Sequence, residues 1–222
     1  MRWKAIILFL FLGGSAIAQQ NDTYMVWTSV GVKGDLVKKT DWFAELNTRF
    51  GEAGVETFFP QIGIDYKLAK WLKPSVEYRF VIDKNKYGNY KVANRLNFNA
   101  KFKEEFDRLS LGFRVRYQYA FDNRGSFDYD ADFDQAFRFK PEISYDIKDF
   151  ILTPKVSSEF FYNPALGEEG RRFDKMRLGI GASFDLNNNH DISFKYQLDK
   201  RFYAFDRGVR HVLSLSYQYK LK

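Results

Sequence analysis

The chain of 222 residues has no cysteine, only two histidines and five prolines, and no apolar run long enough for a membrane helix. The missing cysteine excludes disulfide scaffolds, zinc ribbons, thiol chemistry and a lipoprotein anchor. A bundle of membrane helices needs repeated runs of about 20 apolar residues and a positive hydropathy, whereas the mean hydropathy here is −0.45. Disorder is excluded from the other side, because 24 Phe, 14 Tyr and 4 Trp are far more aromatic surface than an unfolded chain carries. What is present, then, is a chain 19% aromatic and 28% charged that averages as hydrophilic. Aromatics and charges must be interleaved.

Residues 1–18 have the form of a cleaved secretory signal peptide. Arg2 and Lys4 give a basic start, Ala5–Leu12 an apolar centre, and Ala16-Ile17-Ala18 a small-x-small cleavage site. Its removal takes two of the 35 basic side chains and no acidic one, which leaves a charge of +5 on residues 19–222. The signs are mixed throughout, so no nucleic-acid partner is implied.

Beyond the signal, a period of two replaces any helical period. Trp42, Ala44, Leu46, Thr48 and Phe50 share one face, against Phe43, Glu45, Asn47 and Arg49. In the next segments Val76, Tyr78 and Phe80 oppose Glu77 and Arg79, and Leu96, Phe98 and Ala100 oppose Arg95, Asn97 and Asn99. Phe113, Val115 and Tyr117 then oppose Arg114 and Arg116, and Met176–Leu186, Ile192–Leu198 and Leu213–Leu221 continue the scheme. Such alternation marks strands with one apolar and one polar face.

Three features predict an all-β, antiparallel transmembrane barrel with its apolar face toward lipid. The strands exceed the usual globular length of about 5–6 residues and suit the roughly 9–11 of a tilted bilayer strand. Tight turns at Lys38–Asp41, Ala69–Trp71, Lys103–Glu105, Lys148-Asp149 and Asn187–Asn189 alternate with longer links at 51–56, 83–88, 122–134, 163–174 and 200–207, the wiring of an outer-membrane barrel. Aromatics gather near strand ends, and Trp27, Trp42, Trp71, Tyr117, Tyr119, Tyr162 and Tyr203 are expected at the lipid–water interfaces.

Reading the segments gives about ten to twelve strands. An even number is the bacterial rule, so Tyr24–Leu36 is expected either to divide at Lys33-Gly34-Asp35 or to lie outside the wall. Pro60, Pro74, Pro141 and Pro154 conflict with a closed wall, because proline removes a ladder donor.

The segments Trp27-Thr28-Ser29-Val30-Gly31-Val32, Glu45-x-Asn47-x-Arg49-Phe50, Gln61-Ile62-Gly63-Ile64-Asp65-Tyr66 and Val76-Glu77-Tyr78-Arg79-Phe80 resemble domain of unknown function 2490. That family comprises small, secreted outer-membrane barrels of Gram-negative bacteria. The resemblance is strongest up to Phe121 and implies location and fold, with no activity and no catalytic residue. The terminal Ser216–Lys222 is similar to an outer-membrane assembly signal in its alternating aromatics, but it ends in lysine.

The polar face predicts a lumen charge network of Glu45, Arg49, Asp65, Glu77, Arg79, Arg95, Arg114, Arg116, Arg138, Glu142, Glu159, Arg177 and Lys195, with Lys67, Lys140 and Lys155. In a narrow barrel such groups either plug the lumen with ion pairs or line a small, gated, weakly anion-favouring pore. A lipid-modifying enzyme would need a nucleophile and a base. His211 and Ser214 point to opposite faces of one strand, and nothing in the spacing pairs His190 or His211 with Ser183 or Ser193. Asp128, Asp130, Asp132 and Asp134 alternate along one loop and form a weak candidate cation site, without the glycine and terminal glutamate of an EF-hand.

The sequence thus predicts a single non-enzymatic barrel over residues 19–222, in the outer membrane of a Gram-negative bacterium. No catalytic residue and no cofactor is assigned. The expected partners are membrane lipid, lipopolysaccharide and other envelope proteins. The role is structural or accessory in an envelope complex, or alternatively a passive channel for small solutes.

Overall fold

A computed structural model describes residues 22–84, 88–121, 134–166, 170–187, 189–203 and 208–221. The expected signal peptide at 1–18, and Asp128, Asp130 and Asp132 of the acidic loop, lie outside the described residues. Eleven strands follow one another: β1 Thr23–Val37, β2 Thr40–Gly51, β3 Gly54–Tyr66, β4 Leu72–Lys84, β5 Tyr90–Phe106, β6 Leu109–Phe121, β7 Ala136–Tyr145, β8 Leu152–Asn163, β9 Arg172–Asn187, β10 His190–Arg201 and β11 Val209–Lys220. Each pairs with its sequence neighbours, and β1 meets β11 to close a barrel. The β-branched and aromatic residues at alternate positions suit a pleated wall with two unlike faces.

The closure settles the parity problem in a way the sequence did not suggest. β1 is undivided and lies in the wall, and its pairing with β11 is parallel from Thr23↔Arg210 to Lys33↔Lys220. All other pairs are antiparallel, so the sheet is mixed rather than purely antiparallel. An odd strand count closes only when the first and last strands run the same way. β1 therefore starts at the end where the longer links gather, and β11 finishes at the end of the short turns.

Two connections differ from expectation. The link between β2 and β3 is a tight turn, with Gly51 opposite Gly54 and Gly54 at φ +86°, a conformation glycine adopts without steric cost. β5 runs through Lys103–Glu105 as strand, and its turn falls at Asp107-Arg108, where Asp107 takes φ 54°.

The prolines lie where the ladder is interrupted or has ended. Between β3 and β4 the register breaks off from Phe58↔Ile82 to Gln61↔Arg79, skipping Pro60. Between β7 and β8 it breaks off from Phe139↔Phe160 to Glu142↔Ser157, skipping Pro141. Pro74 and Pro154 lie just beyond the last pairs on one side, Asp65↔Ser75 and Ser144↔Lys155. A missing N–H costs nothing where no acceptor faces it.

Large apolar side chains point outward and are exposed, with Val30, Ile62, Val76, Val156 and Ile180 each about half exposed or more. A water-facing monomer rarely shows an apolar surface of this extent. The inward face is polar and buried: Glu77, Arg95, Asn97, Arg116, Gln118, Glu159 and Lys175 are all nearly inaccessible. An apolar patch of Phe59, Val81 and Ala93 is set among them.

Candidate functional site

The inward face places the network. On β4, Glu77 accepts two hydrogen bonds at 2.9 Å from the Arg116 guanidinium of β6, reaching past β5. It also accepts from Asn97 and Asn99 of β5, and Arg79 lies 3.5 Å away. On β8, Glu159 takes Arg114 at 2.6 Å, Arg138 at 2.9 Å and Arg177 at 3.4 Å, from β6, β7 and β9. Asp199 of β10 holds Arg177 at 2.5 Å and Lys175 at 2.8 Å. Buried carboxylates of this kind persist only when several donors replace the lost water.

Aromatic rings join these clusters into one chain across the barrel. The Arg49 guanidinium sits 4.1 Å from the centre of the Trp27 ring, and Arg177, from a strand three places away around the wall, sits 4.8 Å from the same ring. Phe59 lies under Arg49 and Arg79 at 5.4 and 5.1 Å. Phe161, wholly inaccessible, lies under Arg138 at 4.5 Å. The planar guanidinium can stack on a ring and pair with a carboxylate in the same pose, which lysine cannot do.

Of the predicted network, Glu77, Arg79, Arg114, Arg116, Arg138, Glu159 and Arg177 converge on the two buried glutamates, and Arg49 joins through Trp27. Arg95 is buried on the same face. Asp65 belongs to a separate cluster at the short-turn end, with Lys101 at 2.7 Å and Lys73 at 3.6 Å. Lys67, just beyond β3, pairs with Asp41, whose carboxylate holds the ammonium above its usual range. Glu142 binds Lys140 at 2.6 Å. Lys195 folds across the bare face of Gly179. Lys175 and Asp199 were missed, although each continues the inward parity of Arg177 and Gln197 by one step.

Trp27 is a correction. It faces the interior between two guanidiniums and is no part of an interface belt. Its odd-numbered parity with Lys33 carries the signal that composition alone concealed. Tyr117 faces outward and stacks with Phe98 at 6.4 Å and Phe137 at 4.9 Å. Tyr162 packs on Phe173 at 5.4 Å, Trp71 on Phe102 at 6.0 Å and Tyr119 on Phe121 at 6.0 Å. Trp42 alternates with inward Phe43, and Tyr203 carries Arg172 at 3.8 Å over its ring.

Both histidines face outward. His190 bonds Tyr217 Oη at 2.8 Å. His211 stacks on Tyr24 at 4.9 Å and bonds Tyr196 Oη at 2.6 Å, and Asp22 lies 3.3 Å from its Nε2. Ser214 points inward to Gln197, and Ser183 and Ser193 also occupy the inner face, so none of these three serines is presented to either histidine. Asp134 accepts a hydrogen bond from Gln118 through its backbone carbonyl. No cluster of metal-ligating side chains occurs among the described residues.

Towards the short-turn end the interior widens into a polar cavity of about 830 Å³. Its walls include Glu45, Asn47, Lys155 and a series of hydroxyl residues, and its mouth carries Asp107, Arg108 and Asp146. No curated protein matches the chain. The profile of a family of proteins of unknown function, DUF2490, matches residues 25–204. Matched over most of its length, and folded as a closed eleven-stranded barrel, the chain belongs to the DUF2490 family.

Proposed function

We propose that this chain is a non-enzymatic barrel of the Gram-negative outer membrane, closed to ion flow, that serves as a structural or accessory component of an envelope protein assembly. The apolar exterior, the charged interior and the strand lengths support the membrane reading, since lipid requires the faces of a barrel to be arranged this way round. The secretory character of residues 1–18 supports export.

One observation carries the closed reading: the chain of guanidiniums, rings and carboxylates from Glu77 through Phe59, Arg49 and Trp27 to Arg177 and Glu159. A conducting pore needs a continuous water path, and around this chain Asn97, Gln118 and Phe161 have no accessible surface. A wall filled this way is a rigid lipid-embedded body whose surfaces, rather than its bore, are available for work.

The test is purification in mild detergent followed by reconstitution in planar bilayers. The expected record shows no current steps above the empty bilayer, and an envelope protein co-purifies. Sustained unitary steps would overturn the closed reading. A barrel isolated alone under gentle extraction would remove the assembly role.

A further inference from the structure

The cavity at the short-turn end is built by strand register from residues scattered along the chain. Thr153 faces Ser183, Ser183 faces Ser193, Ser193 faces Ser216, and Ser216 faces Ser29. Five consecutive strands thus present a hydroxyl at one level of the inner wall. One step deeper, Ser144 faces Lys155, Lys155 faces Gly181, and Gly181 faces Lys195. Two lysines therefore flank a residue without a side chain, and the Lys195 ammonium lies deeper, over Gly179. A Cβ on Gly181 would come within 2.3 Å of a backbone carbonyl, so that position is kept bare, and at Gly179 the Lys195 stem occupies the space a Cβ would take.

These groups are unspent. Ser29 and Ser216 bond each other at 2.6 Å, but Thr153, Ser183 and Ser193 have no protein hydrogen-bond partner among the described residues. Nor does Lys155 or Lys195 make an ion pair there. The carboxylates on the wall beside these lysines are already engaged, whereas Glu45 across the cavity and Asp107 and Asp146 at its mouth make no ion pair among the described residues. Glu142 is taken by Lys140, and Glu159 is shared by Arg114, Arg138 and Arg177. Nearer the mouth, Asp191 is held by Lys33 and Glu105 by Lys103. The wall from β7 to β10 therefore carries an excess of positive charge. Across the cavity, on β2, stand Glu45 and Asn47.

We infer that this cavity is a binding site for a small polyhydroxylated molecule bearing one oxyanion, of the class of a sugar phosphate. Lys155 receives the phosphate, in the field of Lys195 behind it. The belt of hydroxyls bonds the ring oxygens, and Glu45 accepts from hydroxyls on the far side. A hydroxyl belt both donates and accepts, which suits a sugar, and an ammonium group is an established point-charge phosphate binder. The inference rests on the closed reading in one respect: the filled interior makes the cavity a blind pocket, reached from the short-turn end.

The test is calorimetric titration of the full barrel in detergent with glucose 6-phosphate, with inorganic phosphate, glucose and phosphatidic acid micelles as separate arms. Glucose 6-phosphate should bind at least about tenfold more tightly than phosphate or glucose. Lys155→Gln should weaken it by about tenfold, the loss of one charge-assisted contact. Ser183→Ala with Ser193→Ala should weaken it without affecting any residual phosphate binding, and Lys38→Gln, at an exposed turn, should leave it unchanged. Heat-modifiable gel mobility checks that each variant is folded. No binding, equal binding of inorganic phosphate, or binding unaltered in Lys155→Gln and in the double serine variant overturns the site. Preference for phosphatidic acid would replace the soluble ligand by a lipid headgroup and overturn the sugar assignment. A barrel that conducts yet binds glucose 6-phosphate would fail the closed reading alone.

Discussion

At the scale of single residues, Glu159 and Asp22 show two ways a carboxylate can hold a barrel together. Glu159 is buried and serves three guanidiniums. Replacing it by glutamine keeps the shape but leaves cations without their acceptor, so Glu159→Gln should cost about 3 kcal/mol, read from the urea midpoint of the refolded barrel. A change under about 1 kcal/mol would mean that water already shares the site. Asp22 stands at the edge, where it accepts the Val209 N–H at 2.8 Å and faces His211. That backbone donor, and then His211, holds its carboxyl below the usual aspartate range. A carboxyl whose native pKa is depressed stabilises the fold above its unfolded pKa, near 3.9, and loses that contribution as pH falls through the native value. The stability difference between the native chain and Asp22→Asn, present at about pH 5, should therefore close as pH falls below about 4. A difference that persists to pH 2 would show that Asp22 acts by shape alone.

At the scale of elements, alternation made each strand's two faces legible, and Glu77, Arg95, Arg116, Arg138, Glu159 and Arg177 of the charged set lie buried on the inner face, whereas Lys67 stands exposed beyond β3. What it left out follows from the same rule applied too narrowly. Lys175 and Asp199 lay one step outside the segments as read, and Trp27 was judged by its type rather than its parity. The hydroxyl belt was illegible for a deeper reason. Each serine is only a small polar residue on its own strand, and the belt exists through register between strands, which no single segment contains. The prolines likewise fit the wall only through register between strands, at the ladder gaps opposite Pro60 and Pro141. Pro141→Val would supply an N–H where Ser158 has no register partner on β7. The added bond and the lost stiffness of the unfolded chain oppose each other, so stability should move by no more than about 1 kcal/mol. Deuterium exchange should nevertheless slow at Ser158 and Glu159. Unchanged exchange there would mean that the gap is set by the wall's curvature rather than by the ring.

For the molecule as a whole, the parallel meeting of β1 and β11 decides the architecture, and a chain without cysteine lets it be tested cleanly. Ser29 and Ser216 face each other, with their hydroxyl oxygens 2.6 Å apart. The pair Ser29→Cys with Ser216→Cys should form a disulfide in the folded barrel, whereas Ser29→Cys with Leu215→Cys, on opposite faces, should not. Failure of the first pair would reinstate an even-stranded wall with β1 displaced.

The same pair would report when the wall shuts. The two serines are separated by 187 residues in sequence, whereas a hairpin contact such as Asn97 to Glu77 spans 20. Bringing such distant ends together costs about 2 kcal/mol more chain entropy than the hairpin contact. Every other seam in the wall joins sequence neighbours, so each can form before the ends meet. During assembly the chain therefore passes through a curled open sheet with two bare edges. The interval before crosslinking measures how long those edges are exposed to the wrong partner.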